Sequence, residues 1–348
     1  MASNIEWTEE TWNPLAGCSI VSPGCHNCYA ATMANRLQAM GQDKYRSTTD
    51  EHGWTGRINL DEASLALPLK WKKPRTVFVN SMSDLFHENV PELFIDKTFA
   101  VMALANQHTF QVLTKRADRM AEYILGLTDP ERLRRIMNLN VAGEEHRAGA
   151  YSLSSLAHRS NPAPFQPRTQ FLAPFRNIWL GVSVEDQKRA DERIPHLLRC
   201  PAIVRFLSCE PLLETIEFSD VTKRSDAITQ LGKQALIGIH WVIVGGESGP
   251  GARPCKVSAV RSIIEQCRAA GVACFVKQFG ARILLSNDAG CEWGRDGDVL
   301  SWEDTEQVKR FQGDLEIARL EDRKGGDPSE WPEWARVRQF PNESAVPA

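Results

Sequence analysis

The sequence predicts an α/β protein built as a partial parallel (β/α) barrel, on three observations. Short, nearly continuous apolar runs rich in β-branched residues recur through the first 280 residues. A run apolar along its whole length is a strand covered on both faces, the habit of parallel sheets. Amphipathic stretches separate the runs, and strand–helix alternation with right-handed crossovers curls a sheet into a barrel or part of one. Finally, polar and ionisable residues directly follow each run, where a parallel barrel gathers its reactive groups.

Each element has its own signal. A first strand falls somewhere in Ile5–Leu15, and the others are Thr76–Asn80 (TVFVN), Thr109–Leu113 (TFQVL), Asn177–Val182 (NIWLGV), Ile203–Leu207 (IVRFL), His240–Val244 (HWVIV) and Val272–Val276 (VACFV). Tyr29–Met40 reads as an amphipathic helix. Pro91–Asn106 opens with proline at a first turn, the position that tolerates a missing N–H. Ala117–Leu125 and Asp186–Cys200 follow their strands. In Ser258–Ala270, Val260, Ile263, Ile264 and Cys267 repeat at helical spacing before Gly271 stops the helix. The barrel core is thus expected over residues 1–280, with a long mobile insertion at about 140–174, rich in Ala, Ser, Pro and Arg. Residues 281–348 form a Trp- and Pro-rich extension expected to pack back on the core.

Composition sets the class. With 42% hydrophobic and 24% charged residues among 348, the chain is a globular protein, and its net charge of −3 does not advertise nucleic-acid binding as a whole. No apolar run approaches the ~18–20 residues that span a bilayer, and the first residues lack a signal-peptide pattern. A cytoplasmic location is expected, with no membrane partner and with reduced cysteines. There, three clustered cysteines read as metal ligands rather than as a disulfide framework.

That cluster is Gly17–Ala30, GCSIVSPGCHNCYA, with Cys18, Cys25 and Cys28 at C-x6-C-x2-C. Ser22, Pro23 and Gly24 are turn formers that fold the loop around a centre. Three thiolates leave one iron of a [4Fe–4S] cluster open to a substrate or cofactor. A structural zinc wants four ligands and would need a completing residue such as His26. Cys200, Cys209, Cys267 and Cys274 read as small hydrophobes; Cys255 and Cys291 fall in loops.

Past the strands lie Ser81, Ser83 and Asp84; Thr114, Lys115 and Arg116; Ser183, Glu185 and Asp186; Ser208, Cys209 and Glu210; Gly245, Gly246, Glu247 and Ser248; and Lys277 and Gln278. Asp84, Glu185, Glu210 and Glu247 are suited to accept from an ammonium or from ribose hydroxyls. Lys115, Arg116 and Lys277 are suited to pair with a carboxylate or phosphate. Gly245 and Gly246 let backbone amides approach a ligand, although VGGESGPG is not a dinucleotide fingerprint and no P-loop occurs. With Ser183, these form the candidate cofactor-binding set. Lys277, Glu247 and Lys115 are the candidates for a catalytic role.

The cysteine loop, NSMSDLF (Asn80–Phe86), LTKR (Leu113–Arg116), WLGVSVEDQKRADERI (Trp179–Ile194), RFLSCEPLL (Arg205–Leu213), WVIVGGESGPGARP (Trp241–Pro254) and FVKQFG (Phe275–Gly280) together resemble the phage-associated three-Cys-motif protein family. The resemblance implies a radical-SAM-type barrel, a [4Fe–4S] cluster, S-adenosyl-L-methionine and an external electron donor. It also implies a phage or prophage setting in the host cytoplasm and a protein partner encoded nearby. A likeness of the loop to DNA photoproduct lyases suggests a nucleic-acid base or nucleotide as substrate. The alternative is a non-catalytic zinc- or cluster-stabilised module acting through a protein partner. Here the loop is three residues wider than C-x3-C-x2-C, and Asn27, not an aromatic, precedes the third cysteine.

Overall fold

The computed structural model describes residues 5–139, 141, 175–219, 236–286, 309–310, 315–318 and 320–341. Seven parallel strands lie side by side in chain order: β1 (Glu10–Trp12), β2 (Thr76–Val79), β3 (Thr109–Thr114), β4 (Ile178–Ser183), β5 (Arg205–Cys209), β6 (Trp241–Gly245) and β7 (Ala273–Gln278). Chain order without reversal is the order of a barrel, and seven strands with two edges make it a partial one. The longer helices among the described residues are α1 (Tyr29–Ala39), α2 (Glu92–Leu104), α3 (Ala117–Gly126), α4 (Pro130–Met137), α5 (Gln187–Arg199) and α6 (Val257–Ala270).

The chain divides into two compact units, the first made of Met1–Val21, Ala30–Gly181 and Arg199–Ile203. In it, β2 pairs with β1 and β3 through Val77↔Glu10, Val79↔Trp12 and Val77↔Phe110. Trp12 stacks tilted on Phe110, centroids 5.8 Å apart, and its indole N–H donates to the Ser64 carbonyl. That bond removes the one polar cost of burying the ring. α2 is buried on most of its faces, from Phe94 to Leu104, as its nearly unbroken apolar sequence requires. α4 was not anticipated. Asp129 caps it, accepting from the Glu131 amide, and Pro130 occupies the first turn.

The second unit is Ser22–Tyr29, Val182–Leu198 and Val204–Ala348. Here β6 is flanked by β5 and β7, with Trp241 opposite Phe206 and Ala273. Trp241 is fully buried among Phe206, Phe275 and Phe340, and its N–H donates to the Gln339 carbonyl. α5 starts after Asp186, whose carboxylate accepts from the Arg189 amide. α6 ends at Gly271, left-handed at φ 68°. Along β7, the Val276 amide donates to Val337 and Phe275 bridges Arg338, covering backbone groups that an edge strand would expose. Trp331 is fully buried against Phe279.

Strand positions differ from the sequence reading by one or two residues. Ser183 and Gly245, read as residues just past their strands, are the last residues inside them. The ladder continues because Gly245 still pairs with Gln278 after a bulge. Cys291 and all but Val141 of the insertion at 140–174 lie outside the described residues.

Candidate functional site

In the first unit the cysteine loop leaves the short strand Leu15–Ala16, which pairs with Asn59–Leu60. Gly17 turns it at φ 102°, where an added Cβ would sit 2.0 Å from the Arg57 carbonyl oxygen, so only glycine fits. Cys18 and Ser19 follow and meet Arg116, two residues past the end of β3. Its Nε donates to Glu88 (2.9 Å), Nη2 to Ser19 Oγ (2.7 Å), and Nη1 to Asp84 (3.1 Å) and to Cys18 Sγ (3.7 Å). Burial opposes the charge on Arg116, but Asp84, Cys18 and Glu88 outweigh it and push its pKa up. Asp84 is also held by the Thr114 hydroxyl (2.7 Å) and by the amides of Phe86 (3.0 Å) and Lys115 (3.1 Å).

His87 is fully buried beside Ser19, 2.9 Å from Nε2 to Oγ. The pair has nucleophile–base spacing but not the chemistry. Nδ1 accepts from the Asn89 amide, so the neutral ring carries its proton on Nε2 and donates to Ser19. Burial and the Arg116 charge hold the ring below its ordinary pKa. Glu88 is held down at about 2: desolvation opposes ionisation, and its own backbone amide and Arg116 override that.

In the second unit the rest of the loop is latched twice. Ser22 donates to Glu185 at 2.5 Å, and the fully buried Glu185 pairs with Arg193 of α5 at 2.7 Å. Arg193 also donates to the Ser183 carbonyl (2.8 Å). Asn27 donates to Glu247 (3.0 Å) and to the Gly251 carbonyl (3.1 Å). Arg253 closes on both oxygens of Glu247 in a fork. Ser22 Oγ lies 3.7 Å from Cys25 Sγ.

The four predicted carboxylates are therefore each matched to a cation of the chain: Asp84 to Arg116 and, in the second unit, Glu185 to Arg193, Glu210 to Lys277 and Glu247 to Arg253. Glu210, 2.9 Å from Lys277, is the least enclosed of the four carboxylates at 15% exposure, and beyond Lys277 it takes one long bond from Ser208 (3.4 Å). Gly246, the first residue past β6, answers to packing. A Cβ on Gly246 would lie 2.1 Å from the Phe279 carbonyl oxygen, and its amide already donates to Gln278. Lys115 contributes its amide to Asp84. Sequence reasoning missed His87, Glu88, Arg193 and Arg253. For the last two a local signal existed, since Arg193 lies two helical turns beyond Glu185 and Arg253 closes the turn that Glu247 opens.

Two predictions follow from the latches. A Cβ on Gly24 would lie 2.5 Å from Glu185 Cγ and Oε1. Gly24→Ala is expected to destabilise the fold by about 1–3 kcal/mol, measured by urea unfolding. For Glu247, burial favours the neutral acid, but bonds from Arg253 and Asn27 outweigh it and lower the pKa. Its stabilisation is then complete above the unfolded carboxylate range and lost as pH falls through the depressed folded value. The stability gap between wild type and Glu247→Gln should be constant near neutrality and shrink only below about pH 4.3, the unperturbed Glu value.

None of Cys18, Cys25 and Cys28 is in a disulfide. Cys18 and Cys28 are the only cysteines among the described residues that reach solvent appreciably. Buried thiols elsewhere are inert by environment: burial pushes Cys255 up to about 12 and raises Cys209 as well. Among the described residues no three His, Cys, Asp or Glu side chains are gathered for a metal. The fit to a cluster thus lies in the donor chemistry: three thiols on one short loop, with a guanidinium directed at Cys18.

The profile of a family described as "Protein of unknown function (DUF5131)" matches residues 2–315. No curated protein matches the chain. Among solved structures, "Spore photoproduct lyase complexed with dinucleoside spore photoproduct" is similar over 88% of this chain and 67% of that one, at 10% identity and a TM-score of 0.35. No described helix is long and apolar enough to cross a membrane.

Proposed function

We propose that this chain, which belongs to the DUF5131 family of proteins of unknown function, is an iron–sulfur enzyme of the radical-SAM type. The observation that carries the reading is the three-thiol loop: Cys18, Cys25 and Cys28 are free thiols within eleven residues of chain, and two of them, Cys18 and Cys28, are partly exposed where the described cysteines outside the loop are buried. In this reading the three thiolates hold a [4Fe–4S] cluster with one iron left for S-adenosyl-L-methionine. A bound cluster and S-adenosyl-L-methionine supply one-electron chemistry at a substrate C–H bond.

The chain's own residues then have separable tasks. Arg116 donates to Cys18, and Ser22 and Asn27 fix the loop through Glu185 and Glu247. Glu210 and Lys277 are the pair that a substrate or cofactor can open most readily, offering a carboxylate and an ammonium at the ends of β5 and β7. A nucleic-acid base or nucleotide is the proposed substrate class. Its support is the sequence resemblance to phage proteins and a surface stretch in the first unit where Arg75 stacks on Trp71 (5.3 Å) beside exposed Lys72 and Lys73. An external electron donor, a protein partner and a cytoplasmic setting belong to the same proposal.

A second reading, a zinc- or cluster-stabilised module working through a partner, is favoured by the internal pairing of Asp84, Glu185 and Glu247. Anaerobic purification with iron and sulfide separates the two. The first expects a brown protein with about four irons per chain that forms 5′-deoxyadenosine from S-adenosyl-L-methionine and a reductant. Iron should be lost in Cys28→Ala and retained in Cys267→Ala. A colourless protein with one zinc, inert towards S-adenosyl-L-methionine, would establish the second.

A further inference from the structure

We infer that Arg116 is a positioning residue for Cys18, fixing the sulfur at the end of β3 and raising the reduction potential of the cluster it ligates. The inference rests on the iron–sulfur reading above.

Arg116 is 8% exposed, yet it does not spend its fork on one carboxylate. A guanidinium that served only as the counter-ion of Asp84 would close on both oxygens in a bidentate pair. Here Asp84 takes a single bond from Nη1, because the Thr114 hydroxyl and the Phe86 and Lys115 amides occupy the rest of the carboxylate. The remaining donors spread to Glu88, Ser19 and Cys18.

Ser19 makes that arrangement rigid. Its Oγ accepts from Arg116 and from His87 and donates to Glu88 at 3.2 Å. As a thiol, Cys18 donates to the Ser19 carbonyl at 3.6 Å; as a cluster ligand it is a thiolate without that proton, and the Arg116 guanidinium is the donor that stays on the sulfur. Asp84, Arg116 and Cys18 thus form a line from the β2–β3 strand ends into the cysteine loop, with the positive charge pointed at sulfur.

A charged donor on a ligand sulfur stabilises the electron added on reduction, one of the levers that set cluster potentials. Removing the charge should therefore lower the midpoint potential without removing a ligand.

The test uses the full chain with its cluster reconstituted. Two variants are compared with wild type: Arg116→Lys, which keeps the charge and loses the fork, and the double variant Asp84→Asn/Arg116→Gln, which removes both charges together and leaves no buried carboxylate without a cation. Iron content, thermal midpoint and midpoint potential, followed by paramagnetic resonance during reductive titration, are read for each. The expected result is retained iron with a lowered potential in the double variant and a smaller shift in Arg116→Lys. Retained iron with the wild-type potential in both variants overturns the inference and leaves the iron–sulfur reading standing. A wild-type protein that binds no iron overturns both.

Discussion

Arg193→Ala is expected to cost the fold about 3–5 kcal/mol. Glu185 is fully buried, and the guanidinium 2.7 Å away is the cation that offsets the desolvation of its carboxylate. Truncation removes that charge and the donor to the Ser183 carbonyl, while Ser22 remains. The loss should appear as a lower urea midpoint with an unchanged m-value. Glu185→Gln/Arg193→Met, which removes both charges, should recover most of it. Equal losses in the single and double variants would mean that the pair contributes through packing alone. Because Ser22 precedes Cys25 on the loop and bonds to the same carboxylate, the proposed iron–sulfur site, once reconstituted, is expected to retain less iron in Arg193→Ala than in wild type.

Arg116→Ala is expected to be of similar size, about 3–5 kcal/mol. Here the buried group left behind is Asp84, which keeps three neutral donors but loses its cation. Glu88 loses the partner that helps hold its pKa near 2 but is largely exposed, so it adds little. Arg116→Lys should recover only part of the loss, since an ammonium cannot reach Asp84, Glu88, Ser19 and Cys18 together. Thermal unfolding of the three proteins at neutral pH decides this. A loss below about 1 kcal/mol would place Arg116 among surface ion pairs.

The strands were legible from their apolar runs, and the burial of all six residues of β4, Ile178–Ser183, is the tertiary form of the run NIWLGV shifted by one residue. Their carboxyl ends were legible too, since parallel topology puts polar residues there whatever the loop conformation. What the polar residues touch was not. Asp84 and Arg116 are 32 positions apart, and Asn27 and Glu247 are 220 apart. No periodicity links positions so separated. His87 was invisible for a related reason: one histidine in a polar stretch has no pattern, and its tautomer is set by an amide two residues on.

By itself, the sequence determined the strand–helix order, the three-thiol loop and the four carboxylates past the strands, because apolar period, cysteine spacing and strand boundaries are local properties of a chain. Only the tertiary structure decided that Asp84, Glu185, Glu210 and Glu247 are matched to Arg116, Arg193, Lys277 and Arg253. Burial is the physical reason. Charges taken out of water must find partners, and which partners are within reach depends on where the folded backbone brings them.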